Sequence, residues 1–341
     1  MGADGGAPPD AVVSSLERRS PDRHRSPAGL RKDNQIRIRA LRHAAPYLKR
    51  FGGKTFVIKT GGAAVAAEES IRDLVEQVAL LFEFGIRVVL VHGGGPQSTE
   101  LSQKLGVRTR FVGGRRVTDS EALRVTTMVL NGEINTRILA ACRDFDLPAI
   151  GISGVDAGLI RAHRRPPVKV KEGAAEETVD YGYVGDIDRV DSGLLERLLG
   201  IGALPVVSPI SADEAGTLLN INADTVASAL AVALGAEKLI LLGEAPGLLG
   251  DPEDPGSVVS FLDLAGLAEM KDSGAIRTGM LPKALCVRRA LEAGVARAHV
   301  LPAGMPDSLL LEIFTPEGCG TLVVPDLDGL SEAERTLRSG T

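Results

Sequence analysis

A lysine that closes an apolar run and precedes two glycines, Val57-Ile58-Lys59-Thr60-Gly61-Gly62, is the first place in this chain where residue type and spacing suggest chemistry. The second is Val88-Val89-Leu90-Val91-His92-Gly93-Gly94-Gly95-Pro96, an apolar run that breaks into three glycines and a proline. Glycines allow a sharp turn and a close approach of backbone to ligand. Pro96 suits the first turn of a helix, where its missing N–H costs nothing. Amide groups freed at such a turn, feeding a helix N-terminus, bind phosphate or carboxylate. If the two runs are neighbouring strands, one lysine and a set of amide donors face one crevice at the carboxyl ends of the strands, where open α/β sheets take their ligands. That is a cradle for phosphate. The pattern G-x-x-x-x-G-K-S/T is absent, which excludes a P-loop nucleotide site. For Lys59 alone, a strand-end lysine that merely reaches solvent is the plainer alternative.

The elements that must hold these turns follow from periodicity. Val88 to Val91 have no polar partner at period two and read as a strand buried on both faces, and 55–59 is the strand before it. Between them, residues 68–84 place Ile71, Leu74, Val75, Val78, Leu81 and Phe82 on one helical face, closed by Gly85. Strand, glycine turn and helix in alternation predict an α/β fold, a three-layer α/β/α sandwich with a mainly parallel central sheet. Upstream, Ile36, Ile38, Leu41, Ala45 and Leu48 predict an amphipathic helix from Asn34, suited to packing against another subunit. Downstream come a hairpin over 111–118, a long helix from Asp119-Ser120-Glu121 to near Asp144, a strand over 149–152 and a projecting β region over 159–189. A short helix over 194–199 and a strand over 204–207 follow. From Leu218 the alternation resumes, with helices over 224–234, 264–273 and 282–293 and strands over 238–242, 298–301 and 321–324.

Composition narrows the classes. With 44% hydrophobic and 24% charged residues, the 341-residue chain can bury a substantial core. A formal charge of -5 speaks against nucleic acid as a partner. No apolar stretch has the length of a membrane span, and 1–33 lacks an apolar centre, so a cytoplasmic location is expected. Cys142, Cys286 and Cys319 have no metal-ligand spacing and read as buried free thiols, with no protein-held metal expected. Residues 1–33, rich in Gly, Pro, Ser, Asp and Arg, are expected to be a disordered tail. The helix over 34–53, the folded domain over 54–326 and a tail over 327–341 complete the division.

Taken in order, Val57 to Gly62, Val91 to Pro96, Gly114-Arg115-Arg116-Val117-Thr118-Asp119, Leu219-Asn220-Ile221-Asn222-Ala223-Asp224 and Gly279-Met280-Leu281-Pro282-Lys283 resemble the amino-acid kinase family, in its branch acting on N-acetylglutamate. The resemblance spans about residues 35–326 and implies an N-terminal lobe (54–210) for N-acetyl-L-glutamate and a C-terminal lobe (211–326) for ATP. It implies that Lys59 and Lys283 neutralise the phosphoryl group in flight, while Asp224 positions both lysines. Gly61 and Gly62 would form the turn beside the γ-phosphate. Gly94, Gly95, Arg116 and Asn220 would hold acetylglutamate, Arg116 clamping its α-carboxylate as a planar bidentate donor. Mg²⁺ would arrive with ATP. The chemistry is coherent with these residue types, because a side-chain carboxylate with a pKa of about 4.3 needs no general base at neutral pH. It needs charge screening, which lysines, amides and Mg²⁺ supply.

Each position also has a plainer reading. Arg116 could be a solvated charge, Asn220 or Asn222 a helix cap, and Lys283 a first-turn residue after Pro282. His92, between a buried strand and a glycine turn, is expected to hydrogen-bond backbone and carries no catalytic role. The chain departs from the family pattern at Thr60, where Tyr or Leu is common. It departs again at Leu242-Gly243-Glu244, where Thr or Ser followed by Asp is usual near the nucleotide, and at Thr278, usually a smaller residue. The helix from Asn34 resembles the extra helix that interlaces dimers into a hexameric ring in arginine-inhibited relatives. His299, Glu312 and Gly318 resemble their site for L-arginine, Glu312 receiving the guanidinium; an ordinary helix followed by a strand is the alternative. Two competing functions stay open: a kinase for another carboxylate, such as an aminoadipate derivative, and a non-catalytic arginine sensor.

Overall fold

The structure, a computed structural model, describes residues 27–330 apart from 114, 173–174 and 277–278. The described residues divide into two compact units, one up to Pro46 and one from Tyr47. Helix α1 (Pro27–Phe51), which supplies the first unit up to Pro46, begins at Pro27, upstream of the expected Asn34. Proline at the first helical position is pre-set for helix and loses no hydrogen bond, so 27–33 are helix rather than tail; residues 1–26 lie outside the described residues. Ile36, Ile38 and Leu41 are exposed.

The second unit runs β1 (Thr55–Thr60), α2 (Glu68–Glu83), β2 (Arg87–His92), α3 (Gly95–Lys104), β3 (Arg110–Val112), β4 (Arg115–Val117) and α4 (Ser120–Thr127). The predicted long helix is regular only at its ends. Met128–Ile134 is π-helical, and α5 (Asn135–Arg143) completes it. Then come β5 (Ala149–Ser153), β6 (Ile160–Arg164), β7 (Val168–Glu172), β8 (Ala175–Val179), β9 (Gly185–Val190), α6 (Gly193–Gly200), β10 (Leu204–Ser208), β11 (Ile210–Ala212), β12 (Leu218–Asn220) and α7 (Ala223–Ala233). The last part holds β13 (Lys238–Gly243), β14 (Phe261–Asp263), α8 (Leu264–Asp272), α9 (Leu281–Glu292), β15 (Arg297–Pro302), α10 (Ser308–Phe314) and β16 (Thr321–Val324). Residues expected to be a tail continue the fold: Leu327–Gly329 form a 3-10 turn, and Leu330 is buried against Leu322 and Val324. Residues 331–341 lie outside the described residues.

The main sheet has the order β14-β16-β15-β13-β1-β2-β10-β5, parallel except for the β15–β16 pair. Strand alternation distributes its side chains to two helical layers. Val57, Val89, Leu239 and Val300 face Val226 and Leu230 of α7 and Val287 of α9. Phe56, Ile58, Leu90 and Ile240 face Leu74 and Val78 of α2, Ile138 of α5 and Leu309 of α10. The expected sandwich is therefore present. Order reverses at β1, which pairs with β2, next in the chain, on one side and with the distant β13 on the other. Such a reversal opens a crevice beyond the carboxyl ends of the strands. A smaller sheet, β12-β11-β6-β9, and the β3–β4 and β7–β8 hairpins form the projecting β region. Among the described residues, no helix is long and apolar enough to cross a membrane.

Candidate active site

Lys59 is the penultimate residue of β1, directly below the crevice. Asp224 lies in the first turn of α7, whose N-cap is Asn222: its Oδ1 accepts from Thr225 N at 3.0 Å. Of the two asparagines, Asn222 is thus the cap and Asn220 is not. Lys283 follows Pro282 in the first turn of α9. The three meet. Lys59 Nζ is 2.8 Å from Asp224 Oδ1, and Lys283 Nζ is 3.0 Å from both Oδ1 and Oδ2. Burial pushes the Asp224 carboxyl up, but the two ammonium groups outweigh it and hold the group below its ordinary range. Burial also lowers the pKa of Lys59, against the pull of Asp224. Two cations held by one carboxylate at the mouth of two helix N-termini form a net positive site for an anion.

Glycines line the cluster closely. A Cβ on Gly61 would lie 3.7 Å from Lys59 Nζ, and one on Gly243 would lie 3.3 Å from Lys283 Cε. Gly243 is one of the departures from the family pattern, and it leaves room for the lysine. The two glycine turns are tied to each other: Gly93 N donates to Thr60 O at 2.8 Å, and Gln97 Nε2 donates to Gly62 O at 2.7 Å. Gly94 packs on the π-helical turn, where its Cβ would come within 2.3 Å of Ile134 Cδ1, while Gly95 is exposed.

Arg116 reaches over from β4. Its Nη2 donates to Gly95 O at 2.9 Å and to Thr99 Oγ1, and its guanidinium lies 5.1 Å from the centroid of the Phe111 ring. Nη1 is buried with no hydrogen-bond partner among the described residues. A buried cationic donor left open is costly, so this position calls for an anionic acceptor. Asn220 ends β12 and donates from Nδ2 to Thr118 Oγ1 at 3.5 Å. Both strand ends hang on one segment, since Thr118 pairs with Tyr181 and Tyr183 and Asn220 N donates to Tyr183 O. Gly114 and Thr278 lie outside the described residues.

His92 sits at the end of β2, fully buried. Nδ1 faces Gly93 O at 3.1 Å, and Asn135 Nδ2 donates to Nε2 at 3.2 Å and to Val206 O at 3.0 Å. Burial holds the ring neutral by lowering its pKa to about 4. His299 and Glu312 also meet, at 2.7 Å, but away from the crevice. Glu312 Oε2 accepts from Cys319 N at 2.8 Å and from Gly320 N at 3.3 Å, and His299 Nε2 lies 2.9 Å from Lys238 Nζ. Gly318 N donates instead to Thr315 Oγ1 at 3.2 Å. Gln97, Thr99 and Asn135 escaped sequence reasoning. They are single polar residues inside helices, and only the positions of Gln97 and Thr99 just after the triple glycine hinted at them.

The model of the Amino acid kinase family matches residues 54–302. Acetylglutamate kinase of Myxococcus xanthus is 49% identical over 287 residues, covering 84% of this chain and 93% of that protein. Acetylglutamate kinase of Archaeoglobus fulgidus is 42% identical over 288 residues, covering 84% and 99%. Among solved structures, N-acetylglutamate synthase of Neisseria gonorrhoeae complexed with coenzyme A and N-acetyl-glutamate is similar with a TM-score of 0.73 and 26% identity, covering 85% of this chain and 63% of that one. Carbamate kinase of Giardia lamblia bound to AMP-PNP shares the fold, with a TM-score of 0.57 and 15% identity over 80% of this chain and 99% of that one.

Proposed function

Because the chain belongs to the amino acid kinase family, we propose that it transfers the γ-phosphoryl group of ATP to the side-chain carboxylate of N-acetyl-L-glutamate, giving N-acetyl-L-glutamyl 5-phosphate and ADP. It is an ATP-dependent phosphotransferase with a carboxyl acceptor. The observation that carries this reading is the Lys59–Asp224–Lys283 cluster at the carboxyl end of β1, flanked by two glycine turns. Identities of 42–49% with acetylglutamate kinases over most of the chain support the choice of acceptor.

The acceptor carboxylate is ionised at neutral pH, so it attacks phosphorus without a base. A neutral, buried His92 fits that requirement. The barrier is the approach of two anions. Lys59 and Lys283 screen it, the Gly61–Gly62 and Gly93–Gly95 turns offer backbone donors, and Asp224 keeps the two ammonium groups together. Each well-placed donor contributes about 3 kcal/mol to the transition state. Arg116, through Nη1, would take the α-carboxylate and Asn220 the rest of the acceptor. Mg²⁺, arriving with ATP, would supply further charge neutralisation.

A cytoplasmic, homo-oligomeric enzyme, with dimers joined through α1 into a hexamer, belongs to the same reading, supported by the exposed Ile36, Ile38 and Leu41. Inhibition by L-arginine belongs to it too, through the His299, Glu312 and Gly318 region; there a guanidinium would compete with His299 for Glu312. The test is ATP-dependent acyl-phosphate formation, trapped with hydroxylamine, with N-acetylglutamate, glutamate and aminoadipate in parallel. Turnover of N-acetylglutamate alone, lost in Lys59→Ala, is expected. No turnover of any of the three, with arginine still bound, would replace the kinase by a sensor.

A further inference from the structure

We propose that Thr99 is a positioning residue for Arg116 and thereby sets the affinity for the acceptor's α-carboxylate, an inference that rests on the reading of Arg116 given above. Thr99 lies one helical turn after Gly95, and its hydroxyl donates to Gly95 O at 2.9 Å. A hydroxyl that donates its hydrogen still has lone pairs to accept with, and Thr99 Oγ1 accepts from Arg116 Nη2. Nη2 also donates to Gly95 O at 2.9 Å. Arg116, Thr99 and the Gly95 carbonyl therefore form a closed triangle in which both hydrogens of Nη2 are used.

This triangle decides which nitrogen of the guanidinium is free: with both hydrogens of Nη2 used, the expected bidentate clamp gives way to a contact through Nη1. The Phe111 ring lies 5.1 Å from the guanidinium carbon, and the two bonds of Nη2 limit how the fork can rotate. Nη1, buried and without a partner among the described residues, is what is left for a carboxylate. Without the Thr99 hydroxyl, Gly95 O alone would hold Nη2, the fork could swing, and the acceptor would have to order it on binding. In the proposed reading the Thr99 hydroxyl and the Arg116 fork face only the acceptor, and Gly95 enters the triangle through its carbonyl and not its amide, so the effect falls on the acceptor.

The experiment compares Thr99→Val, isosteric but without the hydroxyl, and Thr99→Ser, which restores it, in steady-state assays on the full chain. Thr99→Val is expected to raise KM for N-acetylglutamate about tenfold, with kcat and KM for ATP within about twofold. Thr99→Ser should return KM to within about threefold of the parent. In an Arg116→Lys background, which lacks the planar fork, Thr99→Val should add little. Thr99→Ala stands in if Thr99→Val fails to fold. An unchanged KM for N-acetylglutamate, an equal rise for both substrates, or full additivity with Arg116→Lys would overturn the role of Thr99 while leaving the kinase intact. Failure of the parent protein to phosphorylate N-acetylglutamate would instead refute the function and this inference together.

Discussion

Lys283 Nζ lies 3.0 Å from each oxygen of Asp224, although the lysine opens α9 and the carboxylate opens α7. Two helix N-termini thus converge on the end of β1, where Lys59 binds the same carboxylate from below. Without that negative charge, two neighbouring ammonium groups would repel each other, and the burial of Lys59 would go unopposed. Asp224→Asn, nearly isosteric, is expected to lower kcat by about a hundredfold or more. The hydroxylamine-trapping assay measures it, and a kcat within a few fold of the parent would remove Asp224 from the catalytic centre.

The depressed pKa of Lys59 gives the reaction an alkaline limit. Its cationic form is the active one, so activity is lost as pH rises through a value below the ordinary 10.5. The profile of kcat/KM, which reports the free enzyme, should fall on the alkaline side below that value, and Asp224→Asn should move the fall further toward neutrality. Asp224 itself, held below the usual carboxylate range, leaves the acid side to the acceptor. A profile flat up to the ordinary lysine range would contradict this assignment.

Much of this was legible in the chain. Runs such as Val88 to Val91, apolar on both faces, mark central parallel strands, and the two glycine turns follow from residue type alone. That β1 and β2 are neighbours, on which the cradle depends, was an inference from alternation that the register confirms. The π-helical turn is not legible, because 128–134 keeps helical spacing and no residue type in it marks the wider hydrogen bonding. Three-residue strands such as β11, β12 and β14 are too short to display a period. The start of α1 is hidden because Pro27, which opens it, continues the Gly-, Pro- and Ser-rich composition before it. Glu312 is marked in the sequence only by the resemblance, as a carboxylate for a guanidinium, and only the fold brings His299 and the amides of Cys319 and Gly320 onto it.

Gly62 separates steric need from conformational need. Its φ of -62° and ψ of -32° are ordinary right-handed values that alanine adopts freely. Yet a Cβ there would lie 2.5 Å from Cδ of the Pro96 ring and 3.0 Å from Gln97 Oε1. A proline ring cannot swing aside, so Gly62→Ala must push the two glycine turns apart. Expected is a fall in kcat of about tenfold or more with smaller changes in either KM, since misplacing the reactants weakens the transition state more than binding. A loss of stability of about 1–3 kcal/mol by denaturant titration should accompany it. Unaltered kcat would show that the turns tolerate separation.

His92 ties stability to pH without taking part in the reaction. Its pKa falls from 6.5 to about 4 in the folded chain, where Asn135 donates to Nε2 and burial opposes the cation. Between those values the unfolded chain binds a proton that the folded chain refuses, so stability must drop as pH falls from about 6.5 toward 4. The total over that window is about 3 kcal/mol. His92→Gln has nothing to titrate there. Its stability, measured by denaturant unfolding across the same window, should start lower, because the Asn135 contact is remade imperfectly, and should fall less steeply than that of the parent. Equal slopes in the two proteins would mean that the acid sensitivity comes from the carboxylates, and that the neutral state of His92 is not what the end of β2 depends on.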